Sequence, residues 1–192
     1  MRKLVYYVAV TLDGYIAGPQ GEHDFFPIPE DLTAAISEEL PETIPTPARA
    51  HFGIPDAPNK RFDTVVMGRG TYGIGLSEGV TSPYAHLRQY VVSTTLTTEE
   101  PAVRIVSDED PVALVRRLKA EEGGMDIWLC GGGKLAGAVL DEIDELVIKR
   151  SPRIAGAGIP MFDGEFRPTA FAPVSPTRDF PSGISLTTYA RQ

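Results

Sequence analysis

Short apolar runs rich in β-branched residues alternate with amphipathic segments along this chain, and this alternation restricts its fold more than any other feature. Helices are predicted at 29–40, 110–123 and 134–143, each between two of the apolar runs. Because strands that alternate with helices form mostly parallel sheets with helices on both faces, we expect an α/β fold. Six runs are predicted strands: KLVYYVAVTL (3–12), DTVVMG (63–68), QYVVSTT (89–95), VRIVS (103–107), MDIWLC (125–130) and ELVIKRS (145–151).

Two other stretches complete the expected organisation. The C-terminal stretch TRDFPSGISLTTYAR (177–191) is predicted to be a hairpin around Pro181-Ser182-Gly183, which adds an antiparallel edge to the sheet. Residues 41–61 contain five prolines and are expected to be an irregular excursion, which we interpret as a lid over the substrate side. The length of 192 residues suits one domain over 1–192.

Composition excludes several classes of function. The net charge of −8 disfavours nucleic acid and anionic membrane surfaces as partners, although local cations can still hold an anionic cofactor. A single cysteine, Cys130, permits no internal disulfide, and the three histidines have no metal-ligand spacing. Since no apolar run is long enough to cross a bilayer and the N-terminus lacks a clean cleavage site, we expect a cytoplasmic protein without a metal.

A glycine triplet, Gly131-Gly132-Gly133, separates a predicted strand from a predicted helix. In a parallel sheet, ligands bind at the carboxyl ends of strands, beside helix N-termini. Missing side chains let a phosphate approach the backbone N–H groups closely, and Lys134 adds a cation next to the triplet. The triplet therefore predicts contact with phosphate, with a plain tight turn as the alternative.

A second glycine-rich stretch, VVMGRGTYGIG (65–75), has the spacing G-x-G-x-x-G directly after a predicted strand. This spacing is typical of dinucleotide binding, where an acidic residue after the next strand holds the ribose of NAD. Here the next strand ends in Ser93-Thr94-Thr95, whose hydroxyls would accept a 2′-phosphate that a carboxylate would repel. Arg69 could supply the matching guanidinium, so the details favour NADP over NAD.

Ordered blocks along nearly the whole chain resemble one family. They are VAVTLDGYIAG, VMGRGTY, YVVSTT, IWLCGGGKL and DELVIKRSPRIAGAGIPMF. The sequence resembles the dihydrofolate reductase-like superfamily, and within it the stand-alone relatives of the riboflavin biosynthesis reductase, the RibD C-terminal domain family. The resemblance implies an NADPH-binding reductase with a mostly parallel, mixed sheet of about eight strands flanked by helices. It also implies a homodimer.

The resemblance assigns cofactor contacts by block. Ala9 and Ile16 would flank the nicotinamide, while Ser93 and Thr94 would lie beside the adenine ribose. Arg69 would lie near the 2′-phosphate. Residues that would meet the other phosphates are Gly68 and Thr71 in the second block and Gly132, Gly133, Lys134 and Leu135 in the fourth, with Gly131 beside them.

Two carboxylates are candidates for the catalytic acid. In dihydrofolate reductases a carboxylate at the start of the first helix holds the substrate, and the block IPEDL (28–32) gives that role to Asp31. The tryptophan that precedes that carboxylate in dihydrofolate reductases is missing here. Asp24, in GEHDFF, matches an Asp-Trp block of the stand-alone relatives, with Phe25 in place of the tryptophan. Asp13, followed by Gly14, is interpreted as turn chemistry.

The activity implied is hydride transfer from NADPH to a small heterocyclic substrate. A ribosylaminopyrimidine of riboflavin synthesis and a dihydropterin are the two leading candidates. The deaminase partner of the riboflavin enzyme is absent from this chain, because no H-x-E with P-C-x-x-C occurs. The alternative from a different class is an NADP(H)-binding protein without turnover, such as a sensor or a degenerate paralogue.

Overall fold

The computed structural model describes all residues from 1 to 192, and its main feature is a nine-stranded sheet. The helices are α1 (Glu30–Glu39), α2 (Thr46–Arg49), α3 (Arg69–Ser77), α4 (Pro111–Ala120) and α5 (Gly133–Ala138). The strands are β1 (Leu4–Val10), β2 (Tyr15–Ala17), β3 (Phe62–Gly68), β4 (Arg88–Val92), β5 (Val103–Val106), β6 (Asp126–Gly131), β7 (Glu145–Arg150), β8 (Ile159–Pro160), β9 (Phe171–Pro173), β10 (Arg178–Asp179) and β11 (Ser185–Arg191).

The order of strands in the large sheet is β10-β11-β7-β1-β6-β3-β4-β5, with β9 also paired to β11. The strand pairs formed among β1, β3, β4, β5, β6 and β7 are all parallel. The C-terminal strands add antiparallel pairs at one edge of the sheet. The predicted mostly parallel mixed sheet and C-terminal hairpin are therefore confirmed. Because β6 returns between β1 and β3, the carboxyl ends of these three strands lie together at one edge of the sheet.

Apolar side chains cover both faces of the sheet. One face packs against α4 and α5, through residues such as Leu114, Leu118 and Ala136. The other face packs against Tyr72 of α3 and, at its rim, Ile36 of α1. Helix α4 begins as predicted, because Asp110 accepts hydrogen bonds from the N–H groups of the first turn. None of the helices is long and apolar enough to cross a membrane.

The proline-rich segment is fixed at its base by one buried carboxylate. Glu42 is fully buried and accepts hydrogen bonds from the backbone N–H groups of Lys60, Arg61 and Phe62. His86 adds a bond to the Glu42 carbonyl, and burial lowers the pKa of this histidine. The segment is thus attached at the amino end of β3, the opposite end from Gly68. Its role as a lid over the substrate side stays a prediction.

Three short strands, β2, β8 and β9, were not predicted. Strand β2 follows the Asp13-Gly14 turn and pairs with β8 in a separate two-stranded sheet. Phe162, two residues after β8, packs against the core, where its ring contacts Tyr6 edge-on at a centroid distance of 5.4 Å. The small sheet brings β2 over the carboxyl end of β6, where the predicted site lies.

Candidate functional site

The glycine-rich stretches of the two motifs meet at the carboxyl edge of the sheet. A Cβ atom on Gly68, at the end of β3, would lie 3.4 Å from the backbone nitrogen of Gly132. Helices α3 and α5 begin directly after these glycines, so their N-termini lie side by side. We call Gly68 and Gly131–Gly133 together the glycine edge.

The structure gives a different explanation for glycine at each of the three positions of the triplet. Gly131 has a φ of +127°, a conformation that residues with a side chain rarely adopt. A Cβ on Gly133 would lie only 2.1 Å from the carbonyl oxygen of Pro160 in β8. A Cβ on Gly132 would meet only Thr71 Oγ1 at 3.8 Å and Ile16 Cδ1 at 3.9 Å. The backbone conformation therefore explains Gly131 and packing explains Gly133, whereas a Cβ on Gly132 would make only ordinary van der Waals contacts.

The glycine edge is electropositive in a chain whose net charge is −8. Neither α3 nor α5 has a side-chain cap at its N-terminus, so the first N–H groups of both helices have no such acceptor. Arg69 and Lys134 are exposed, and neither belongs to a salt bridge. Free donors, helix dipoles and two unpaired cations together fit a phosphate-bearing ligand.

Other predicted contact residues lie around this edge. Thr71 and Ile16 face Gly132 from α3 and β2, and Ala9 is half-buried near the end of β1. The Ser93 hydroxyl accepts hydrogen bonds from the backbone N–H groups of Thr95 and Leu96, so it shapes its own turn, and the neighbouring Thr94 is exposed. Leu135 is buried in the core, which leaves only its backbone for contact with a ligand.

The two candidate acids have different surroundings. Asp31 lies at the start of α1, and its carboxylate accepts hydrogen bonds from the backbone N–H groups of Leu32 and of Ser182 in the C-terminal hairpin. The hydrogen bond from the Ser182 N–H is the largest cause that lowers the pKa of Asp31. Because a lowered pKa favours the ionised carboxylate, Asp31 suits a structural anchor better than a proton donor. Asp24 is exposed beside Phe25, whose ring contacts that of Phe26 at a tilt of 32°. A catalytic role of either residue stays a prediction.

Asp13 fixes the loop that follows β7. Its carboxylate accepts hydrogen bonds from the Thr11 hydroxyl and from the backbone N–H groups of Ala155 and Gly156. The bond from Thr11 is the largest cause that lowers the pKa of Asp13 to about 2. The interpretation of Asp13-Gly14 as turn chemistry agrees with this geometry, although the link to the distant loop had no signal in the sequence.

We expect acid to release this loop before the protein unfolds. The folded pKa of Asp13 lies below its ordinary value of 3.8, so the stabilisation is present above about pH 4 and is lost as the pH falls towards 2. Hydrogen exchange followed by mass spectrometry should show faster exchange at Ala155 and Gly156 in that pH window. Asp13→Asn should show the same fast exchange at neutral pH, and unchanged protection in this variant would contradict the assignment.

One charged side chain close to Ala9 was not singled out from the sequence. Lys149 lies opposite Ala9 in the parallel pair of β1 and β7, and its Nζ atom is 4.2 Å from the centroid of the Tyr7 ring. The available signal was a charged residue inside the apolar run ELVIK, in a strand whose first three residues are buried. A lysine within a central strand is unusual enough to mark a candidate site.

One family model matches most of the chain, and two curated relatives are similar to it over most of their length. The family described as RibD C-terminal domain matches residues 2–178. The uncharacterized protein YwjB of Bacillus subtilis (strain 168) is 30% identical over 163 residues, covering 84% of this chain and 83% of YwjB. The uncharacterized protein YyaP of the same organism is 25% identical over 200 residues, covering 98% of this chain and 94% of YyaP.

Two solved structures share the fold. A putative riboflavin biosynthesis protein from Shewanella sp. PV-4 has a TM-score of 0.69 and 25% identity, covering 100% of this chain and 99% of its own. A diaminohydroxyphosphoribosylaminopyrimidine deaminase/5-amino-6-(5-phosphoribosylamino)uracil reductase from Thermotoga maritima has a TM-score of 0.65 and 17% identity, and the match spans 57% of that longer chain. The fold is therefore dihydrofolate reductase-like, and the chain belongs to the RibD C-terminal domain family.

Proposed function

We propose that this protein is an NADPH-dependent reductase that transfers a hydride to a small heterocyclic substrate. The observation that carries the proposal is the glycine edge, where two uncapped helix N-termini, Arg69 and Lys134 lie next to the glycine backbone of Gly68 and Gly132. Membership in a family named for a riboflavin-pathway enzyme supports the class of activity.

The residues at the edge fit the parts of a dinucleotide. The absence of a side chain at Gly132 would let a pyrophosphate approach the backbone and accept hydrogen bonds from the first N–H groups of α5. The exposed guanidinium of Arg69 suits a 2′-phosphate, which distinguishes NADPH from NADH. Ala9 and Ile16 present small and apolar surfaces on either side of the space left for the nicotinamide.

The protein itself would orient the cofactor and the substrate and exclude water from the reaction site. When bound, the reduced cofactor supplies the hydride, and the protein would hold the two reacting carbons close together and aligned. Ile16 is anchored by the β2–β8 pair, and Asp13 holds the neighbouring loop against β1, so both sides of the expected reaction site are fixed. Asp24 is the predicted acid whose carboxylate has no partner in the protein.

Turnover with a panel of substrates tests the proposal. NADPH oxidation should be followed with pterins, with pyrimidines that include the ribosylaminopyrimidine of riboflavin synthesis, and with simple quinones. We expect saturable consumption of NADPH with a pyrimidine or a dihydropterin. Gly132→Ala, which fills the space expected for the pyrophosphate, should abolish this consumption in a folded protein. Absence of turnover with every member of the panel would contradict the reductase proposal.

A second candidate function is NADP(H) binding without turnover. It is favoured by the position of Asp31, because the carboxylate that the resemblance assigns to catalysis anchors the C-terminal hairpin instead. Such a protein would bind NADPH at the glycine edge with the same dependence on Arg69. None of the substrates in the panel would support oxidation of NADPH. The same panel therefore separates the two functions.

A further inference from the structure

We propose that Tyr7, Lys149 and Ser151 form a binding site for an anionic oxygen of the substrate, immediately beside Ala9. The description of the ligand as the substrate rests on the proposed function, because Ala9 is expected to flank the nicotinamide. The existence of an anion site rests only on the three side chains. We call them the Tyr7–Lys149–Ser151 cluster.

The cluster lies on one face of two neighbouring parallel strands. Ala9 of β1 is opposite Lys149 of β7, and Tyr7 is opposite Val147. Side chains of alternate residues along a strand point to the same face, so Tyr7 and Ala9 share a face with Lys149. Ser151 follows Lys149 by two residues, and its backbone N–H continues the ladder by donating to the Val10 carbonyl.

Two hydroxyl groups of the cluster are buried without a hydrogen-bond partner. Tyr7 is 3% exposed and Ser151 is 2% exposed, and neither the Tyr7 hydroxyl nor Ser151 Oγ forms a hydrogen bond. Buried hydroxyls are rarely left unpaired, because the loss of hydrogen bonds to water is not compensated. Tyr6 provides the contrast within the same strand, since its hydroxyl donates to the Met161 carbonyl at 3.0 Å.

Lys149 supplies a positive charge that no carboxylate neutralises. It is half-buried, its Nζ atom lies 4.2 Å from the centroid of the Tyr7 ring, and it forms no salt bridge. The acid nearest to it on the same face of β7 is Glu145, which is paired with Lys3 and Arg61. A partly desolvated ammonium group and two unpartnered hydroxyls on the same face of the sheet are suited to an anion.

The other polar groups nearby are neutral at physiological pH. Burial raises the pKa of the Cys130 thiol to about 12 and raises the pKa of the Tyr84 hydroxyl, which lies within hydrogen-bonding reach of that thiol. These groups add no negative charge to oppose the ligand. The local charge is therefore set by Lys149, and a cationic substrate group would be repelled.

Binding of benzoate to the protein without cofactor tests the inference. Trp128, the only tryptophan, has its ring centroid 6.1 Å from that of Tyr7, so its fluorescence reports on the cluster. We expect a saturable change with benzoate at concentrations up to about 50 mM, the range in which a single-ring fragment binds. Benzamide, which has the same shape without the charge, should bind at least about tenfold more weakly, since the charge-assisted contact is lost.

Matched variants separate a binding role from a structural one. Tyr7→Phe and Lys149→Met should each weaken benzoate about tenfold, by loss of a charge-assisted hydrogen bond, without lowering the melting temperature. Tyr6→Phe is the control: it should lower the melting temperature, because the Met161 carbonyl loses its donor, and leave benzoate affinity unchanged.

Three results would each overturn the assignment: no saturable response to benzoate, equal binding of benzamide, or a melting temperature of Tyr7→Phe as low as that of Tyr6→Phe. Titration with NADPH on the same samples keeps the two proposals apart. Benzoate binding without NADPH binding would support the anion site and contradict the proposed reductase function.

Discussion

Glu42→Ala is expected to destabilise the protein by at least about 3 kcal/mol, because a buried donor that loses its partner costs about 1–3 kcal/mol and three donors are affected. The carboxylate accepts from Arg61 N at 2.7 Å, Phe62 N at 2.8 Å and Lys60 N at 3.3 Å, at a site with no exposure to solvent. Such a loss is a large share of the stability of about 5–15 kcal/mol that is typical of a domain. Urea unfolding of both proteins measures it.

Glu42→Gln is the matched control. Its remaining side-chain oxygen can still accept from Arg61 and Phe62, so only the longer bond from Lys60 is lost. We expect a loss of about 1 kcal/mol, the value of a typical hydrogen bond. If alanine and glutamine cost the same, or if alanine costs nothing measurable, the carboxylate does not hold the base of the 41–61 segment.

Gly133→Ala is the second substitution with a large expected effect. Its Cβ would lie 2.1 Å from the Pro160 carbonyl oxygen, a backbone atom that cannot rotate away. Strand β8 would have to move from α5, and overpacking of this kind costs about 3 kcal/mol. Because the same shift would displace Ile16 through the β2–β8 pair, nucleotide binding should fall together with stability.

Gly132→Ala should separate these two effects. Gly132 has a φ of −89°, which alanine adopts freely, and the nearest atoms to its Cβ would be 3.8 Å away. We expect stability within about 1 kcal/mol of wild type, the typical difference between glycine and alanine at a helix N-cap. We also expect NADPH affinity at least tenfold lower, measured by cofactor fluorescence. Full NADPH affinity in this variant would mean that the space before Gly132 is not a phosphate site.

The parallel sheet could be predicted from the sequence because its signal is local. Each central strand is a continuous apolar run, as in DTVVMG before Gly68, and helix α4 has its own start signal, Asp110-Pro111. Strands of two or three residues have no such periodicity. The pair of β2 and β8 therefore had to be found in the structure.

The candidate site was predictable only in part, for the same reason. Glycine spacing and the neighbouring Arg69 and Lys134 are local in the sequence, so the glycine edge could be located. Glycine at 133 is explained by its contact with Pro160, and the partner of Asp31 is Ser182, both distant in the chain. No pattern in a single sequence reports such contacts, so the bond between Asp31 and the C-terminal hairpin was not predicted.

The most direct test is a titration of wild type and Arg69→Ala with NADPH and, separately, with NADH, followed by cofactor fluorescence. We expect wild type to bind NADPH at least tenfold more tightly than NADH, a difference of about 1.4 kcal/mol, because Arg69 is proposed to contact the 2′-phosphate. Arg69→Ala should bind both nucleotides equally. If wild type binds neither nucleotide, the glycine edge is only a pair of tight turns and the proposed function is wrong.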